Sequence, residues 1–167
     1  MGETGTVENA RTEPIQVSEL NHAVLFVRDV PTAQAFYTEV LGFQVVSSDD
    51  RHASFLRAPR SSNHHDLGLI SVGSGAPRPP RGATGLYHLA WRVDSIQELA
   101  RAREILVDRG ALVGQSDHGV SKSLYATDPD GNEFEVMYLL PDDEWGEGAD
   151  DAMVAPLDLE AEIRARS

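Results

Sequence analysis

Cysteine is missing altogether from this 167-residue sequence. That excludes disulfides, thiolate-bound zinc and thiol nucleophiles, so any metal must be held by His, Asp or Glu. A chain without disulfides also fits a cytoplasmic location, which is the expectation. Basic residues are scarce: 14 Lys and Arg stand against 27 Asp and Glu, a net charge of −13, which argues against nucleic acid as a partner. No apolar run approaches the ~20 residues of a membrane span, so no membrane partner is expected. The opening Met1-Gly2-Glu3-Thr4 has neither a basic region nor an apolar stretch behind it, so no secretory signal is expected. What is present is 41% hydrophobic residues, enough for one domain with a real core.

The deficit of positive charge is uneven. Nine of the acidic residues fall between Pro141 and Ser167, against only Arg164 and Arg166. This segment, 141–167, reads as an acidic extension, solvated and loosely packed. At the other end, 1–16 is polar without periodicity and reads as a flexible arm. Between them lies a domain over 17–140, interrupted at 73–85 by Gly-Ser-Gly-Ala-Pro-Arg-Pro-Pro-Arg-Gly-Ala-Thr-Gly, which can only be a linker or loop.

The two sides of that linker, 17–72 and 86–140, repeat one pattern of β-α-β-β-β. Glu19 to Val27 and Leu86 to Val93 read as apolar strands, each followed by a capping residue (Asp29; Asp94 or Ser95) and a helical periodicity. Gly42 and Gly110 end the helices, and three strands follow in each half. Leu20-Asn21-His22-Ala23 answers Leu86-Tyr87-His88-Leu89, and Asp66-Leu67-Gly68-Leu69 answers Glu133-Phe134-Glu135-Val136. The fold class is therefore α+β: two tandem βαβββ modules, each with one apolar sheet face, combining into an open mixed β-barrel with a central metal cleft.

The densest motif lies at the end of the second module. Ser121 to Thr127 reads as a strand, Asp128-Pro129-Asp130-Gly131 as a turn, and Glu133 to Leu140 as the returning strand. Alternation puts Glu135 on one face with Met137 and Leu139, opposite Phe134, Val136 and Tyr138. A carboxylate in that place is paired, at a rim, or bound to metal.

Taken together, His118, Leu124-Tyr125, Asp128-Pro129-Asp130-Gly131 and Glu135 resemble the signature of type I extradiol dioxygenases. These are the catechol 2,3-dioxygenase-like members of the vicinal-oxygen-chelate superfamily, which also holds glyoxalases and bleomycin-resistance proteins. Ser116 is a small departure from that pattern, which usually has Gly or one of a few other residues there. The resemblance covers roughly Leu20 to Leu140 and implies three metal ligands, His22, His88 and Glu135. Two histidines and one carboxylate are the donor set of non-haem Fe(II), with Mn(II) a possible substitute. It further implies pocket residues His65, His118 and Tyr125, the histidines moving protons and the tyrosine holding a substrate oxygen. The implied activity is insertion of both atoms of O2 into a catechol-type ring, in the catabolism of aromatic hydrocarbons, by a homodimer or higher homo-oligomer.

Each assignment has a plainer rival. A lone His22 or His88 is more often a hydrogen-bonded structural histidine. His64 and His65 could be surface loop residues, His118 a loop residue, and Tyr125 ordinary strand packing. His52 matches nothing and has no assigned role, and Val24 stands where some relatives carry a polar pocket residue. At the level of function, two alternatives stand. One is another metal-dependent enzyme of the superfamily, a thiol transferase or glyoxalase-like protein. The other is a metal-free small-molecule binding protein of the same fold. Gly68 weighs against the glyoxalase type, whose fourth ligand comes from that place. Metal analysis separates the binding protein from the enzymes.

Overall fold

The repeat read from the sequence is laid out as two sheets in a computed structural model, which describes residues 14–78, 80, 82–146 and 153–166. In the first module a strand Ala23–Val27 (β1) leads into a helix Val30–Val40 (α1). Strands Gln44–Ser48 (β2), Ala53–Arg57 (β3) and Leu67–Ser71 (β4) follow. The second module repeats this with Leu89–Val93 (β5), Ile96–Asp108 (α2), Leu112–Asp117 (β6), Ser121–Thr127 (β7) and Glu133–Leu139 (β8). Sheet order is β1-β4-β3-β2 in one and β5-β8-β7-β6 in the other. In each sheet the first and last strands of the module run parallel, and the other pairs are antiparallel.

Local chemistry explains the boundaries. Asp29 accepts a hydrogen bond from the Thr32 backbone N–H at 2.9 Å, and Pro31 lies in the first turn of α1. Of the two candidate caps for α2, the structure uses Ser95, whose hydroxyl accepts from the Glu98 N–H at 3.1 Å. Gly42 and Gly110 take φ of 70° and 62°, the left-handed conformation that ends each helix. The first strand of each module is shorter than its apolar run. Consequently His22 and His88 lie one residue before β1 and β5 rather than within them.

The two sheets are not closed into one barrel, in keeping with the open arrangement expected. Among the described residues β1 and β5 are the outer strands of separate sheets and do not pair. The modules are joined instead through their helix-bearing faces. Phe43 of module one meets Trp91 of module two edge-to-face at 5.1 Å, and Phe36 meets Phe134 at 5.9 Å. Leu89 and Trp91 pack on the core of module one, while Val40 belongs to the core of module two. Large aromatics wedged between the modules take the place that strand pairing would need.

The acidic extension departs from expectation in the same direction. After a short 3₁₀ turn, Asp142–Glu144, the described part returns at 153–166 and packs rather than trailing in solvent. Ala155 bridges antiparallel to Asp117, Leu157 and Leu159 are buried in the core of module two, and a helix Leu159–Ala165 (α3) lies against α2. One of its acids is paired inward: Lys122 Nζ, itself buried, is 3.5 Å from Glu162 and 2.6 Å from Asp117 of β6. Most of the arm expected over 1–16 lies outside the described residues.

Candidate active site

On the face of the second sheet away from the helices, strand register assembles one cluster. Ala90 of β5 pairs with Glu135 of β8, and Tyr125 of β7 pairs with Glu135 from the other side. His88, two residues before Ala90, brings its Nε2 to 3.0 Å from Glu135 Oε2. Both groups are largely withdrawn from water: the side chains are 25% and 11% exposed. Both atoms are metal donors by type. His88 Nδ1 is buried without a hydrogen-bond partner, and the ring is flanked by Tyr87 at 4.8 Å and Tyr125 at 5.6 Å.

A second hydrogen-bonded pair adjoins the first. His118 Nδ1 is 2.9 Å from the Met153 carbonyl, and its Nε2 is 2.7 Å from Tyr125 Oη. A carbonyl can only accept, so Nδ1 carries the hydrogen; in the neutral ring Nε2 then accepts from the tyrosine hydroxyl. Burial, followed by the nearby Glu135 carboxylate, raises the Tyr125 pKa, so the hydroxyl keeps its proton at neutral pH. Met153 is a partner that sequence reasoning missed. It belongs to the acidic extension, and no local signal links it to His118.

The Asp-Pro-x-Gly turn proves to be architecture. Asp128 accepts from the backbone N–H of Asp130 and Asn132 at 2.8 and 2.9 Å and from the Asn132 amide at 2.9 Å. It also accepts from the hydroxyl of Tyr37 on α1 at 3.2 Å. Asp130 accepts from the Arg28 backbone N–H at 2.9 Å and pairs with its guanidinium. The turn that aims β8, and so Glu135, is therefore pinned to module one.

Module one carries its own cluster. His22 and His65 rings lie 4.6 Å apart, and His65 packs edge-on to Phe55 at 5.1 Å. His64 Nδ1 is 3.1 Å from His65 Nδ1, with the His64 ring exposed and His65 half-buried. Loss of hydration, with His22 and His64 adding to it, lowers the His65 pKa. Asn21 Oδ1 is 3.0 Å from His22 Nδ1, and Asn63 ties the Asn21 carbonyl to Asp66. These asparagines, unremarked in the sequence, hold the histidine loop in place. Gly68 stands opposite Val24 in register, and a Cβ there would come within 3.3 Å of the Val24 side chain. His52, given no role, pairs with Asp49 in a distant loop.

The six expected site residues thus fall into two groups, His88, Glu135, Tyr125 and His118 on one sheet and His22 with His65 on the other. Among the described residues no three His, Asp or Glu side chains converge in a way that could hold a metal ion. One chain brings together two of the three expected ligands and leaves His22 with other partners.

Residues 19–136 match the family model described as "Glyoxalase/Bleomycin resistance protein/Dioxygenase superfamily". A catechol-2,3-dioxygenase of Bacillus subtilis is 34% identical over 128 residues, covering 77% of this chain and 44% of the relative. The chain spans about half the length or less of the first such relatives it matches. Among solved structures, a glyoxalase/dioxygenase from Nostoc punctiforme superposes with a TM-score of 0.63 at 19% identity, over 77% of this chain and 99% of that one. The fosfomycin resistance protein FosX from Listeria monocytogenes gives 0.57 at 19% identity, over 74% and 94%.

Proposed function

The chain belongs to the glyoxalase/bleomycin resistance protein/dioxygenase superfamily, and from that premise we propose that it is an extradiol ring-cleaving dioxygenase. Its substrates are a catechol-type aromatic and O2, and its metal is Fe(II), with Mn(II) as a substitute. The relative named catechol-2,3-dioxygenase favours this reading over others in the superfamily. The observation that carries it is the contact between two donor groups, His88 and Glu135, beside a hydrogen-bonded Tyr125–His118 pair. A binding protein has no need of that proton path.

The chain's own residues have separate tasks in this reading. Glu135 and His88 provide donor atoms at the floor of the open face. Tyr125, kept protonated and donating to His118, offers its hydroxyl oxygen as acceptor to a substrate hydroxyl. His118 takes up or returns the proton at Nε2, its ring held by the Met153 carbonyl. His65 serves as a further acid or base, and its lowered pKa favours the neutral, proton-accepting form. Gly68 supports the dioxygenase over a glyoxalase-type enzyme, because it supplies no fourth donor and Val24 crowds the place one would occupy.

Oxygen uptake tests this. Protein reconstituted with Fe(II) without air, then given a panel of substituted catechols, is expected to consume one O2 per catechol and release a ring-opened product. Metal-loaded protein that consumes no oxygen with any of them would contradict the proposal.

A further inference from the structure

One buried polar group of the second sheet has no part in the proton path described so far. Ser123 lies on β7, two residues before Tyr125. Leu124 and Ala126 of the same strand are buried in the core of module two, so alternation puts Ser123 and Tyr125 together on the open face. The Ser123 side chain is fully buried, and its hydroxyl has no hydrogen-bond partner. A buried hydroxyl normally finds one, because leaving it unpaired forfeits its hydration. An alanine would fill the same place on the strand without that penalty.

Ser123 stands opposite Met137 of β8 and Ser116 of β6, in the row next to Gly114, Tyr125 and Glu135. The Tyr125 hydroxyl donates to His118 Nε2 at 2.7 Å, and its oxygen keeps two lone pairs. One serves a substrate hydroxyl in the reading above, which leaves the other. Burial and then the Glu135 carboxylate favour the phenol of Tyr125, and the Ser123 hydroxyl works against them. The two hydroxyls therefore stand within reach of each other, without the alignment of a formed hydrogen bond.

We propose that Ser123 is a positioning residue for Tyr125: with substrate bound, its hydroxyl donates to Tyr125 Oη and holds that oxygen between the substrate and His118. The inference rests on the proton path of the reading above. As the Tyr125 hydrogen passes to His118 Nε2, a hydrogen from the substrate hydroxyl replaces it on Oη. One proton leaves the substrate, one arrives on His118, and the tyrosine is a phenol before and after. While the protons move, Oη carries negative charge, and a donor fixed beside it stabilises that charge. Ser116 places a second hydroxyl directly across the ladder on the same face, where it can donate to the Ser123 oxygen in turn. It is also where this chain departs from the motif, so the hydroxyl pair is no part of the signature.

The test sets stability against rate. If Ser123 only fills space, Ser123→Ala removes an unpaired buried hydroxyl and leaves turnover alone. In the proposal Ser123→Ala keeps or raises Tm and keeps bound metal, yet lowers kcat about tenfold with KM little changed, the worth of one hydrogen bond at a reacting atom. Ser123→Cys, of similar size and with a weak donor, is expected to recover part of that loss. In a Tyr125→Phe chain, which has no Oη to hold, adding Ser123→Ala is expected to change nothing further. An unchanged kcat in Ser123→Ala overturns the proposal, and so does a fall of the same size in the Tyr125→Phe background. A second measurement needs no turnover. Protein loaded with Fe(II) without air is titrated with 4-nitrocatechol below the pKa of the free compound, and the visible band of the ionised form is read. Wild type is expected to ionise the bound compound, and Ser123→Ala to bind it equally well but ionise it less. That result in a wild type that consumes no oxygen would uphold the role of Ser123 and reject ring cleavage. Equal ionisation in both chains overturns the role of Ser123 whatever the oxygen uptake, and a wild type that does not bind the compound rejects both.

Discussion

At the scale of residues, function is concentrated in a few polar atoms with fixed partners. In the proposed reaction the Tyr125 hydroxyl, which keeps a proton, links substrate to His118, whose Nε2 is the open acceptor because the Met153 carbonyl holds the hydrogen on the far nitrogen. His65, the further acid or base of the proposal, lies on the other sheet, its ring 4.6 Å from that of His22. Proton transfer of this kind contributes about 10²–10⁴-fold to rate. Tyr125→Phe and His65→Phe are each expected to lower turnover by that order with bound metal unchanged, as read by steady-state kinetics with elemental analysis. His64→Phe is expected to be milder, since His64 is the more exposed of the adjacent pair. Equal, near-wild-type rates in the two histidine variants would remove that loop from the mechanism. At this scale the sequence was partly legible. Alternation along β8 was enough to set Glu135 apart from Phe134 and Val136, which are buried in the core. The Met153 carbonyl was not readable, because a backbone acceptor 35 residues away leaves no mark in the local pattern.

At the scale of elements, the turn between β7 and β8 governs how Glu135 is presented. The sequence identified the turn from Pro129 and Gly131, and Gly131 does take a φ of 87°. Its deeper cause, Asp128, could not be seen there, since the Tyr37 hydroxyl arrives from α1, 91 residues earlier. Burial, with the neighbouring Asp128 carboxylate adding to it, raises the Tyr37 pKa well above its ordinary value, so this hydroxyl is a permanent donor. Replacing Asp128 by Ala leaves buried donors without an acceptor, which costs about 1–3 kcal/mol. The expected result is a lower Tm in calorimetry with weaker metal retention, since β8 loses its anchor. Unchanged stability would mean that the turn is held by Arg28 and Asp130 alone.

At the scale of the whole molecule, the repeat was legible because the chain writes one pattern twice, with Asp29 and Gly42 in one module and Ser95 and Gly110 in the other. The way the modules meet was not. Alternation shows that a strand has two faces but not which neighbour each face will find, and the aromatic residues Phe36, Phe43 and Trp91 decided it. The acidic extension misled for a related reason. Its charge suggested solvent, but Leu157 and Leu159 are buried and Lys122 and Arg166 draw Glu162 inward. The open sheet faces carry the candidate site residues, and the core holds the frame. The proposed activity is ring cleavage by dioxygen, and isotopic labelling tests it most directly. Metal-loaded protein turning over a catechol under ¹⁸O₂ should yield a ring-opened product carrying both labelled atoms by mass spectrometry. A product with the ring intact, or one without label, would contradict the account.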